Sequence, residues 1–137
     1  MHERYDCGPG CPVAACLDVI GGKWRGSVLF LLLDGPVRFN PLRRLLGEPP
    51  ARVLSDQLKA LEAAGLVDRR VVVGTPPEVH YGLTPKGKAL ETALRALADW
   101  GLTRMMEEGA ALPNDRATRQ RAAELALAAP VRPGKTG

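Results

Sequence analysis

Hydrophobic positions along this chain change their spacing in a way that divides it into elements. Pro12, suited to a first helical turn, opens a short helix over Val13 to Ile20, which Gly21-Gly22 ends. Trp24 to Leu33 reads as a second, strongly apolar helix, stopped by Asp34-Gly35-Pro36. Phe39 to Leu46 predicts a third, with Phe39, Leu42 and Leu45 on one side. Gly47-Glu48-Pro49-Pro50 is a tight break, and Pro50 suits the first turn of the next helix. From Ala51 to Ala64, Leu54, Leu58 and Leu61 recur at i, i+4 and i+7, the signature of an amphipathic helix, with Gly65 placed to cap its end. A short helix, a compact turn and a longer helix make a helix-turn-helix.

The period then falls to two. Leu66 to Val73 is rich in β-branched residues, Gly74-Thr75-Pro76-Pro77 is a turn, and Val79, Tyr81 and Leu83 alternate with Glu78, His80 and Gly82. A hairpin directly behind a helix-turn-helix is a wing. Thr84-Pro85 predicts the start of a long helix to near Glu108, with Leu90, Leu94, Leu97 and Gly101 on one face. Pro113-Asn114-Asp115 opens a final helix to near Ala129. The predicted fold is α+β, a winged helix-turn-helix with additional N- and C-terminal dimerisation helices. Residues 1–10 are expected to be a flexible arm, 11–112 the winged domain, and 113–137 a helix and disordered tail, with no internal repeat.

Charge sharpens this picture. The net charge is +4, but the basic excess is local: residues 38–86 carry eight Lys and Arg against five Asp and Glu, and 113–137 carry five against two. An anionic partner should therefore meet the helix-turn-helix, wing or tail. The longest apolar run, Val28 to Leu33, is too short to span a bilayer, and Met1 to Gly10 lacks the basic-then-apolar order of a signal peptide. A cytoplasmic protein without membrane contact is expected.

On the Ala51–Ala64 helix, Arg52, Ser55, Asp56 and Lys59 lie opposite the leucines. In a helix-turn-helix this is the face that enters the major groove of double-stranded DNA. Arg52 suits a guanine edge, and Gln57, bordering the face, an adenine edge. Arg38, Arg43 and Arg44 sit near the first helix of the motif, where phosphate contacts position a protein without reading sequence. Arg69 and Arg70 point to opposite faces of their strand, so only one readily faces a given phosphate; Arg69 is expected to be partly a packing or helix-bridging residue, and both ends of the hairpin to touch the DNA backbone. His80 is expected to be exposed on the wing. Trp24 and Trp100 read as core and interface anchors. No paired acids, Ser/His/Asp pattern or phosphate loop occurs, and Cys7, Cys11 and Cys16 are poorly spaced for a single zinc. Neither enzyme activity, cofactor nor metal is expected; a thiol enzyme built on Cys11 would lack a base.

Cys11-Pro12, Gly21-Gly22-Lys23-Trp24, Asp34-Gly35-Pro36-x-Arg38-Phe39, Leu54, Leu58, Leu61-Glu62, Gly65-Leu66-Val67, Pro77, Tyr81 and Leu83-Thr84-Pro85-x-Gly87 occur in one unbroken order. Over residues 11 to 102 the chain resembles the HxlR-type family of MarR-like winged-helix regulators. That resemblance implies a homodimer on a near-palindromic operator, acting as a transcriptional repressor, and in some members a cysteine in the Cys-Pro position that senses oxidants or electrophiles. Pro41, Pro50 and Gln57 depart from the usual pattern of the family. Cys11 also stands at a helix N-terminus, where the dipole and unpaired N–H groups favour a thiolate. Any disulfide from it must reach Cys7 or an N-terminal cysteine of a second subunit; a small-molecule effector is the other route to regulation. The competing reading is a winged-helix protein-interaction module that never meets DNA, which a neutral or acidic recognition face would favour.

Overall fold

Cys11 is the N-cap of α1 (Pro12–Ile20), and Pro12 occupies its first turn, where a missing N–H costs nothing. The computed structural model describes residues 8–129. The expected arm and tail, with Cys7, fall largely outside them. After α1 come α2 (Arg25–Leu31), a 3-10 turn (Leu32–Asp34), β1 (Val37–Arg38), α3 (Phe39–Leu45), α4 (Ala51–Ala63), β2 (Val67–Val72), β3 (Glu78–Leu83), α5 (Pro85–Lys88), α6 (Glu91–Glu107) and α7 (Arg116–Ala128). The described residues fall into two compact units that divide between Leu94 and Arg95, inside α6.

The first unit holds the core. Val28, Leu29, Leu32, Leu42, Leu54, Leu58 and Leu61 are fully buried, joined by Ile20, Leu66, Val67, Leu83 and Leu94. Successive turns of α4 thus each contribute a leucine to one seam, and the opposite face is left outside. Periodicity placed Leu45 on the apolar side of α3, but it is exposed, and Leu46 packs against the core in its place. The cause is helical spacing: Leu46, the C-cap, lies four residues after Leu42 and seven after Phe39 and so shares their stripe, whereas Leu45 is rotated off it.

The sheet has one strand more than the hairpin that alternation predicts. Its order is β1-β3-β2, antiparallel throughout. Two residues are too few for a period to register, so β1 carries no signal in the sequence. The long helix expected from Thr84 is also interrupted, at Ala89–Leu90, between α5 and α6.

That short α5 closes onto the end of α4. Gly65, at φ +76, lets its N–H reach Glu62 O and the Leu66 N–H reach Leu61 O, the paired bonds of a Schellman cap. Thr84 Oγ1 donates to Gly65 O at 2.6 Å and accepts the Gly87 N–H at 3.1 Å, while Lys86 Nζ donates to Ala64 O. Gly87 lies so close that a Cβ there would stand 2.2 Å from Leu66 O. The clamp fixes the direction in which the wing leaves α4.

In the second unit, Arg121 of α7 makes a two-pronged pair with Asp99 of α6, at 2.9 and 2.6 Å, and a third bond to Glu124. Asp115 caps α7 by accepting the Thr118 N–H. Leu97, Trp100 and Leu127 are exposed, and the Arg104 guanidinium lies 6.0 Å from the Trp100 ring.

Gly87→Ala should lower stability by roughly 1–3 kcal/mol, because the clash is with backbone that cannot rotate away. Urea denaturation monitored by circular dichroism reads this directly. An unchanged midpoint would show that α5 does not bear on the end of α4 as described.

Candidate nucleic-acid interface

The turn between α3 and α4 sets how the outward face of α4 is presented. Gly47 N–H donates to Arg44 O and Glu48 N–H to Arg43 O, with Glu48 itself at φ +59. Arg43 Nε donates to Pro49 O at 2.6 Å. Arg43 is therefore half-buried and spent on the turn, whereas Arg44, next to it, is exposed. Of the two, Arg44 is the more exposed.

On α4 the expected residues separate by burial. Arg52, Asp56 and Lys59 are exposed, and Ser55 is half-buried at one border. Val53 is exposed too, a position that a search for polar and charged residues passes over. Gln57 lies at the other border, half-buried, and its amide oxygen accepts from Arg25 Nε at 2.8 Å. Arg25 Nη1 also donates to Val19 O at 3.3 Å, so one guanidinium ties the end of α1 to α4. The expected bidentate pairing of Gln57 with adenine uses that same oxygen, which here is directed at Arg25.

Register explains the wing. Arg38 and Arg70 flank His80 on one face of the sheet, while Val37 and Arg69 flank Tyr81 on the other. On the first face, Arg38 pairs with Glu78 at 3.2 Å, and His80 Nε2 lies 3.1 Å from the other Glu78 oxygen. The hydrogen bond from His80, with the Arg38 charge behind it, holds the Glu78 carboxyl below the usual carboxylate range. All three are surface groups, so this chain aligns side chains more than it stabilises the fold. His80, expected to be exposed, is half-buried, because β1 covers the side of β3 that a two-stranded hairpin would leave open.

Arg69 and Arg70 exchange their expected parts. Arg70 is the packing residue. Its guanidinium lies over Gly82, where a Cβ would come within 2.9 Å, and it bonds Asp68 and Leu83 O. Arg69 shares the face of Val67 and Tyr81 yet remains exposed. Beyond them the strand ends in exposed Val71, Val72 and Val73. Arg44, Arg52, Lys59 and Arg69 are exposed and form no ion pair with the described residues.

Cys11 and Cys16 are both half-buried, at the N-cap and in the middle of α1, and no side chain caps the first turn. Trp24 is half-buried with the Lys23 ammonium 5.0 Å from its ring. Among the described residues no cluster of His, Cys, Asp or Glu is arranged to hold a metal, and no helix is long and apolar enough to cross a membrane.

The model of the HxlR-like helix-turn-helix family matches residues 19–109. The chain belongs to that family. It is a DNA-binding transcriptional regulator of the helix-turn-helix type. Similar proteins include the HTH-type transcriptional regulator YdeP of Bacillus subtilis, 46% identical over 92 residues, which are 67% of this chain and 72% of that one. Among solved structures, the redox regulator HypR in its oxidised form is 44% identical, with a TM-score of 0.65 over 68% of this chain and 96% of that chain. The reduced form of the B. subtilis transcriptional regulator YodB is 33% identical, with a TM-score of 0.59 over 66% and 90%; YodB has also been solved diamide-treated and quinone-bound. These structures share the winged-helix fold of this chain. Cys11 precedes the segment that the family model matches.

Proposed function

We propose that this chain is a homodimeric repressor that reads a near-palindromic operator with α4 in the major groove and Arg69 of the wing on the backbone. The observation that carries this is the outward face of α4. The leucine seam turns Arg52, Ser55, Asp56 and Lys59 away from the core, and the clamp at Gly65 and Thr84 holds the wing beside them. A helix about 10–12 Å across fits a groove about 12 Å wide. Arg52 and Lys59 outweigh Asp56 on that face, which favours DNA over a protein partner. Val13 and Leu17 on α1, and Leu97, Trp100 and Leu127 on α6 and α7, are exposed. Pairing of two copies through these helices would cover them and set two α4 helices about one DNA turn apart.

Arg52→Ala should cost roughly 1–3 kcal/mol of discrimination at one base pair per half-site. Arg69→Ala should weaken binding to all sequences and reduce the salt dependence by about one phosphate contact per subunit. Fluorescence anisotropy on specific and scrambled duplexes at several salt concentrations separates the two effects. If Arg52→Ala changed neither affinity nor selectivity, α4 would not be the reading helix.

A second reading concerns regulation, and the oxidised, diamide-treated and quinone-bound states in which HypR and YodB were solved favour it. Here Cys11 takes the electrophile. Its Sγ adds to a quinone ring carbon, the ring's π pair moves to one oxygen, which takes the thiol proton, and the hydrogen of the attacked carbon then shifts to the second oxygen to leave a hydroquinone thioether. No further oxidant is consumed. The bulky adduct at the start of α1 displaces that helix, and the dimer pairing shifts with it. Benzoquinone should weaken operator binding by the native protein and leave Cys11→Ser unchanged. Equal affinity before and after treatment in both proteins would remove Cys11 as a sensor.

A further inference from the structure

The bond between Arg25 and Gln57 constrains more than the packing of α2 on α4. An arginine guanidinium has only donors, so the group facing it must be the amide oxygen of Gln57. Arg25 is held in turn by Val19 O, and Gly22 makes room for it: a Cβ there would lie 3.1 Å from both Cδ and Nε of Arg25. The oxygen keeps a second lone pair but is held towards Arg25, so the NH2 is the freer end of the Gln57 amide, and that nitrogen has no hydrogen-bond partner among the described residues. Turning the amide around would present nitrogen to a half-buried guanidinium and leave Arg25 Nε without its acceptor.

One helical turn before Gln57, on the same edge of α4, stands Val53, whose exposed methyl groups have no charged or polar purpose. A donor and an apolar group four residues apart form a pair. In the major groove thymine presents an acceptor, O4, beside its C5 methyl, whereas adenine presents an acceptor beside a donor. We propose that Arg25 is a specificity-determining residue: by holding the Gln57 amide oxygen it leaves the Gln57 NH2 and the Val53 methyls to select a thymine over an adenine. The inference rests on the placement of α4 in the groove and adds to it the base class that this edge reads.

The full chain is used to select duplexes from a randomised pool, and each thymine of the selected operator is then replaced singly by deoxyuridine. At one thymine per half-site, loss of the methyl should weaken binding about fourfold, the value of one buried methyl-sized group. Val53→Ala should abolish that sensitivity while still binding the operator. Arg25→Ala frees the amide to turn, and its own selection should admit adenine at that position. Circular dichroism verifies that Arg25→Ala is folded, and Val53→Ala, at an exposed site, keeps the test independent of it. Methyl sensitivity at no thymine, or sensitivity that survives in Val53→Ala, would overturn the proposal, as would an Arg25→Ala protein that still excludes adenine. Failure to select any sequence would instead overturn the reading of α4 as the groove helix.

Discussion

The burial of Leu54, Leu58 and Leu61 against α2 and the sheet is the constraint on which the rest depends. Each removes a leucine side chain from water, worth about 1.5–3 kcal/mol apiece, and together they fix the rotation of α4 about its axis. Once that rotation is set, the helix has no freedom in what it shows to solvent. Arg52, Asp56 and Lys59 are outside because the leucines are inside. The Schellman cap at Gly65 and the Thr84 hydroxyl then tie the end of α4 to the start of the wing and to the turn that follows it.

Most of this was legible in the sequence where a period had room to repeat. The 13 residues of α4 give three leucines in register, and the alternation of Val79, Tyr81 and Leu83 gives β3. Two-residue β1 has no period, and with it went the burial of His80 and the pairing of Arg38 with Glu78. The interruption at Ala89–Leu90 left no trace, because Thr84-Pro85 signals a helix start without saying how far the helix runs. Leu45 misled because Leu46, four residues after Leu42 and seven after Phe39, falls on their stripe, and Leu45 falls beside it.

The roles of the arginines were less legible than their positions. Alternation puts Arg69 and Arg70 on opposite faces, but which one packs depends on Gly82 across the sheet, where a missing side chain gives Arg70 a place to lie. Arg43 and Arg44 are neighbours in the chain, yet one is consumed by a backbone carbonyl of the turn. Arg25 shows no motif of its own, and its partner lies 32 residues away. Long-range hydrogen bonds between single side chains leave no spacing to read, and at this site they decide which groups remain available to a base.

The central claim is that α4 and the base of the wing form one DNA-contacting surface. Titrating the isotopically labelled protein with its selected operator and tracking backbone amide resonances tests it most directly. The account predicts the largest shifts at Arg52, Ser55, Asp56 and Lys59, with Arg44 and Arg69 beside them. Shifts absent from α4 and concentrated on the exposed Val71 to Val73 tip, or on α6 and α7, would contradict it.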